Sequence, residues 1–126
     1  MSLYRKHTDL PVYQVAFVAA REVFLVSKQF PKEETYSLTD QVRRSSRSVC
    51  ANVAEAWRKR RSEAFFICTL NISEAEAAET QVWLQFAVDC QYLSSDDARP
   101  LYTKYDEILV QLVHLIENPT PWILKK

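Results

Sequence analysis

Glycine is missing altogether from the 126 residues of this chain. Its absence excludes Gly-rich phosphate loops, GxGxxG dinucleotide turns and Asn-Gly hairpins, each of which needs backbone at positive φ or close to a ligand. A chain built this way is expected to be mostly helical, with turns made by Pro, Ser, Asn and Asp. Histidine is scarce, with only His7 and His114, and neither sits at a metal or catalytic spacing. Glu-x-x-His, HExxH, GxSxG and the EF-hand pattern do not occur. Glu76 and Glu79 are three apart, a spacing that on a helix usually marks a solvated face. The three cysteines, Cys50, Cys68 and Cys90, are odd in number, widely spaced and without a CxxC. They are expected to be small buried hydrophobes in a reducing cytoplasm rather than a disulfide framework or zinc site. One of them could act as a nucleophile only if folding brought a histidine to it. Neither enzymatic activity nor a cofactor or metal is expected. Long apolar runs are also lacking. The run Val15 to Ala20 is broken by Arg21, far short of a membrane span, and no secretory leader is expected at the N-terminus.

What is present is an ordinary globular balance, 48% hydrophobic and 25% charged, enough for one core in one domain spanning 1–126. Four segments carry helical periodicity, at about 10–29, 38–59, 62–90 and 95–117. In the first, Tyr13, Phe17, Ala20 and Phe24 form the stripe, flanked by Ala16 and Val23; Pro11 suits the first turn and Phe30-Pro31 ends it. In the second, Leu38, Val42, Val49, Val53 and Ala56 form one face, and Ser37 with Asp40 resembles a shortened capping box. Ser62 caps the third and Ser94 or Ser95 the fourth. Ala98, Leu101, Tyr105, Ile108, Leu112 and Leu115 make the core stripe of the fourth. Asn118-Pro119-Thr120-Pro121 stops it, leaving a short tail free to dock or hang. Helices of this length with short connections predict an all-α, antiparallel up-down-up-down four-helix bundle.

The third helix has two apolar stripes. Phe66, Leu70, Ser73, Ala77, Leu84 and Val88 make one; Phe65, Ile72, Trp83 and Phe86 make the other, more than a quarter-turn away. A lone four-helix bundle would leave one stripe in water, so the second predicts a homo-oligomer interface.

Charge is balanced overall, with sixteen basic and sixteen acidic residues, but unevenly placed. Residues 43–61 hold seven basic side chains (Arg43, Arg44, Arg47, Arg58, Lys59, Arg60, Arg61) against Glu55, a balance of +6. Residues 62–117 hold Arg99 and Lys104 against ten acids, a balance of −8. Cations at residues 58–61 complement a helix C-terminus. Arg43, Arg44 and Arg47 lie in the first half, where the dipole gives no help. They need an acidic partner, such as a neighbouring subunit's helix, or a phosphate of RNA or DNA.

The stretch from Phe30 to Val49, containing Tyr36-Ser37-Leu38-Thr39-Asp40-Gln41-Val42-Arg43-Arg44, continues through Asn52-Val53-Ala54-Glu55. It resembles the 23S rRNA intervening-sequence protein family, relatives of which include the accessory variability proteins of diversity-generating retroelements. Leu70-Asn71-Ile72-Ser73, Glu76-Ala77-Ala78-Glu79-Thr80 and Leu93-Ser94 extend the match. The resemblance implies a four-helix bundle in a ring-like homopentamer, and basic relatives that bind nucleic acid and a reverse transcriptase. It points to Arg43, Arg44, Arg47 and Arg58 to Arg61 as the nucleic-acid contacts. Ala56 stands where the family usually has glycine, which implies a helix that continues unbent. Among the motif residues, Tyr36 and Leu38 are expected to anchor the second helix. Gln41 and Asn52 are expected to hydrogen-bond between helices or subunits, and Ser45, Ser46 and Ser48 to admit a close neighbour. Three functions follow as expectations: a nucleic-acid-binding oligomer, a protein-interaction scaffold whose arginines hold subunits together, or a small-molecule binder using a cavity or pore.

Overall fold

The computed structural model describes residues 4–124. Four helices, α1 (Pro11–Ser27), α2 (Leu38–Arg58), α3 (Glu63–Asp89) and α4 (Ser95–Glu117), are joined by short connections. Single 3-10 turns lie at His7–Asp9, Lys32–Glu34 and Thr120–Trp122. Each helix packs against two neighbours, in the cyclic order α1, α2, α3, α4. Polar contacts fix the direction of packing. Ser45 Oγ meets Thr80 Oγ1 at 2.8 Å, and Ser73 Oγ donates to the Val49 carbonyl at 2.8 Å, so α2 and α3 run antiparallel. The bundle is all-helical and antiparallel, as the periodicity predicts.

The core is built from one face of each helix. In α4 the buried set is Ala98, Leu101, Tyr105, Ile108, Leu112 and Leu115, the predicted stripe without exception. In α2 the stripe is buried with Ser45 and Ser46 among it, small enough to let helices close in. Ala56 is fully buried and α2 runs through it to Arg58 without interruption. In α1 the predicted face is offset. Val12, Ala16, Ala19, Ala20, Val23 and Ser27 are buried, whereas Phe17 is 52% exposed and Tyr13 and Phe24 are half-buried. Size explains the offset: a small-residue face brings α1 close to its neighbours, and the larger rings are left at the rim.

Other local expectations are corrected. The Ser37 hydroxyl does not cap α2; it donates to Glu34 Oε1, which also accepts from the Leu38 N–H at 3.2 Å. Tyr92 Oη donates to the other Glu34 oxygen at 2.9 Å. These bonds, the one from Ser37 foremost, hold the Glu34 carboxyl below its ordinary range; the bond to Glu34, followed by burial, pushes the Tyr92 hydroxyl up to about 12. Tyr36 is 93% exposed and anchors nothing, while Leu38 is buried. Without glycine, α3 still ends in a left-handed turn. Gln91 has φ 66°, and the Tyr92 N–H bonds back to Ala87 O at 2.9 Å. The tail docks as far as Leu124, its last two residues lying outside the described ones: Trp122 lies 5.7 Å from the Tyr4 ring and 6.1 Å from Trp57, and the Leu124 N–H bonds to Arg60 O.

Candidate nucleic-acid and assembly surfaces

The basic residues of α2 do not form one band. Helical spacing puts Arg43 and Arg47 on one flank, facing α1, and Arg44 about 100° round from Arg43, facing α3. Arg43 Nε donates to Ser27 Oγ at 2.7 Å, and its guanidinium lies 4.7 Å from the Phe24 ring centre. Arg47 lies over the same ring at 5.8 Å, and Lys28 at 4.9 Å. Neither Arg43 nor Arg47 forms an ion pair among the described residues. Asp40, one turn earlier on the same side of α2, makes no ion pair with either.

Arg44 finds its acids in its own chain. It bonds to Glu76 at 3.2 Å and to Glu79, and its Nε donates to Gln41 Oε1 at 3.1 Å. The antiparallel register of α2 on α3 places these acids opposite it. The bond to Glu76, ahead of that to Glu79, raises the guanidinium's already high pKa. A neighbouring subunit is therefore not required to satisfy Arg44. Gln41 and Asn52 likewise bond within α2, Asn52 to Ser48 O at 2.9 Å, rather than between helices.

The cluster at the end of α2 is equally mixed. Arg60 stacks on Trp57 at 3.5 Å and donates to the Trp57 carbonyl at 2.8 Å. Burial, then the neighbouring Arg58 charge, lowers its pKa. Lys59 pairs with Glu55 at 3.8 Å across one helical turn. Arg58 and Arg61 are exposed and carry no ion pair among the described residues.

On α3 the second apolar stripe lies outside the core. Phe65 is 64%, Ile72 46% and Phe86 51% exposed. Trp83 is half-buried, 6.0 Å from the Phe86 ring, and its Nε1 donates to Glu79 Oε2 at 3.0 Å. Cys68, on the same stripe, and Cys90, at the helix end, are exposed, contrary to the expectation of buried thiols; only Cys50 is buried, which pushes its thiol up to about 11. No group of three or more His, Cys, Asp or Glu that could hold a metal occurs among the described residues. No helix among them is long and apolar enough to cross a membrane.

Between α1 and α2 runs a groove of about 450 Å³, which the sequence reading missed. Tyr13, Phe17 and Phe24 form its aromatic wall, Ala51 and Ala54 its floor, and Arg21 and Arg47 its polar margin. The signal was present: Phe17, Arg21, Phe24 and Lys28 recur at alternating spacings of four and three. It was hidden because the aromatics read as core.

Comparison with known proteins places the chain in a family. The family model for the 23S rRNA-intervening sequence protein matches residues 8–114. The chain belongs to that family. A crystal structure from Bacteroides thetaiotaomicron, of a protein with unknown function from the S23 ribosomal protein family, has a TM-score of 0.75 to it at 28% identity. That likeness covers 83% of this chain and 97% of the other. No curated protein matches the chain. The family match spans α1 to α3 and most of α4, and the matched structure, being of unknown function, assigns no role to Arg43 or Phe65.

Proposed function

We propose that this 23S rRNA-intervening sequence family protein is a non-enzymatic, cytoplasmic homo-oligomer that binds nucleic acid through the joined flank of α1 and α2. The observation that carries this reading is the convergence of Arg21, Lys28, Arg43 and Arg47 around the groove, where no acid lines the wall. A guanidinium lying on an aromatic ring keeps in-plane N–H donors free, and those suit a phosphate. Arg58 and Arg61 extend the positive surface. Arg44 and Arg60 contribute little, because each is engaged at home.

A salt titration of binding to an RNA fragment tests it. Affinity falls with salt, and Arg43→Ala with Arg47→Ala lowers the slope by about 1.4 for two lost single-strand phosphate contacts. Absence of binding at low salt removes the proposal. The exposed stripe on α3 supports assembly as a second element of the reading, with five copies as the number the family resemblance implies. The alternative, a protein-interaction scaffold whose arginines only hold subunits together, draws on Arg43 and Arg47, which form no ion pair among the described residues and are left for a neighbour's acids. On that alternative the Arg43/Arg47 double variant breaks the oligomer on a sizing column.

A further inference from the structure

We infer that the α1/α2 groove takes single-stranded RNA, with unpaired bases stacked on Tyr13 and Phe17 and phosphates held by Arg21, Arg43 and Arg47. This rests on the nucleic-acid reading above and adds the class of strand. Tyr13 and Phe17 form a stacked pair with ring centres 6.0 Å apart, and Phe17 is half in solvent. An exposed phenylalanine beside an alanine floor, with arginines at its margin, is the kind of polar-rimmed apolar patch that marks an interaction site. Farther along α1, Phe24 already carries three cations on its ring. The groove therefore has an aromatic end open at Phe17, where His7 packs edge-on against Tyr13 at 4.9 Å, and a cation-covered end. Tyr13 to Lys28 spans about 22 Å of helix at 1.5 Å per residue, room for a site at the short end of the range of about 4–16 nucleotides.

Bases in an A-form duplex are stacked on one another, so their faces are not free to cover a protein ring. A duplex could reach the arginines but not the rings. A single strand reaches both, and aromatic stacking is tolerant of sequence because every base has a π-face.

The test compares an unstructured RNA oligomer with a perfect hairpin of equal length, using the full chain. The single strand is expected to bind about tenfold more tightly. Phe17→Leu keeps an apolar side chain but loses the ring; it is expected to weaken single-strand binding about tenfold with the salt slope unchanged, and Phe17→Trp to restore it. Equal affinity for strand and hairpin, with Phe17→Leu silent and Arg43→Ala plus Arg47→Ala disruptive, overturns the inference but leaves nucleic-acid binding intact. Loss of oligomer on Phe17→Leu also overturns it, because the groove then holds another copy of the chain. Failure of both RNAs to bind at low salt removes the parent reading as well.

Discussion

Replacing Phe65 and Phe86 with alanine is expected to dissociate the protein without unfolding it. Phe65 is 64% and Phe86 51% exposed, so neither contributes much to the monomer's core. A phenylalanine ring presents about 200 Å² when free, so these two leave roughly 230 Å² to be covered by a neighbour. At about 25 cal/mol per Å² that area is worth about 5–6 kcal/mol per interface. Side-chain ordering and incomplete burial reduce the effective figure to about 3 kcal/mol, roughly a hundredfold weaker association per contact. Sedimentation velocity over a wide concentration range reads the outcome, with far-ultraviolet circular dichroism confirming that the four helices persist. Wild-type protein that is monomeric throughout, or a double variant that sediments like the wild type, refutes the reasoning. Either result would mean that the stripe is an apolar surface the bundle tolerates in water.

Three further outcomes follow from single side chains. Tyr105 is fully buried and its hydroxyl makes no hydrogen bond of normal geometry among the described residues, although it faces the Ser46 hydroxyl. Tyr105→Phe is therefore expected to leave stability unchanged or raise it by about 1 kcal/mol; a loss of that size in urea denaturation would show a partner formed in solution. Gln91 sits at φ 66°, where glycine is relaxed. Gln91→Gly is expected to stabilise by about 0.5–1 kcal/mol, read as a raised thermal midpoint, and a lowered midpoint contradicts the strain. Glu34 has a folded-state pKa below its ordinary 4.5. Its bonds to Ser37, Leu38 and Tyr92 therefore contribute stability above that value, and the contribution is lost as pH falls through the folded pKa. Glu34→Gln is expected to lower stability at neutral pH, with the gap to wild type closing as the solution is acidified from about 4.5 downward. A gap that stays constant with pH would show that the carboxylate's charge is not what matters.

The fold was legible because helical periodicity and buried-face composition are local properties. The α4 stripe from Ala98 to Leu115, the Ser62 cap and the two faces of α3 all follow from residues a few positions apart. Glu34 shows the limit of that locality: it lies three residues before Ser37, but its partner Tyr92 is 58 positions away. The α1 face shows another limit. Tyr13, Phe17 and Phe24 have core-like hydropathy, and only the close approach allowed by Ala16, Ala19 and Ala20 decides that they stay at the rim.

The sequence by itself determined that the chain makes four amphipathic helices, with a basic α2, an acidic α3 and more apolar surface than one bundle hides. Helix number, polarity and excess are written in spacing and composition. Tertiary structure alone decided which charges are spent. Arg44 is neutralised because the antiparallel register of α2 sets it against Glu76 and Glu79, and Arg60 is folded onto Trp57. Arg43 and Arg47, on the opposite flank, meet aromatic rings of α1 instead of acids. One-dimensional charge counts cannot separate them, because the difference lies in which neighbouring helix each side chain reaches.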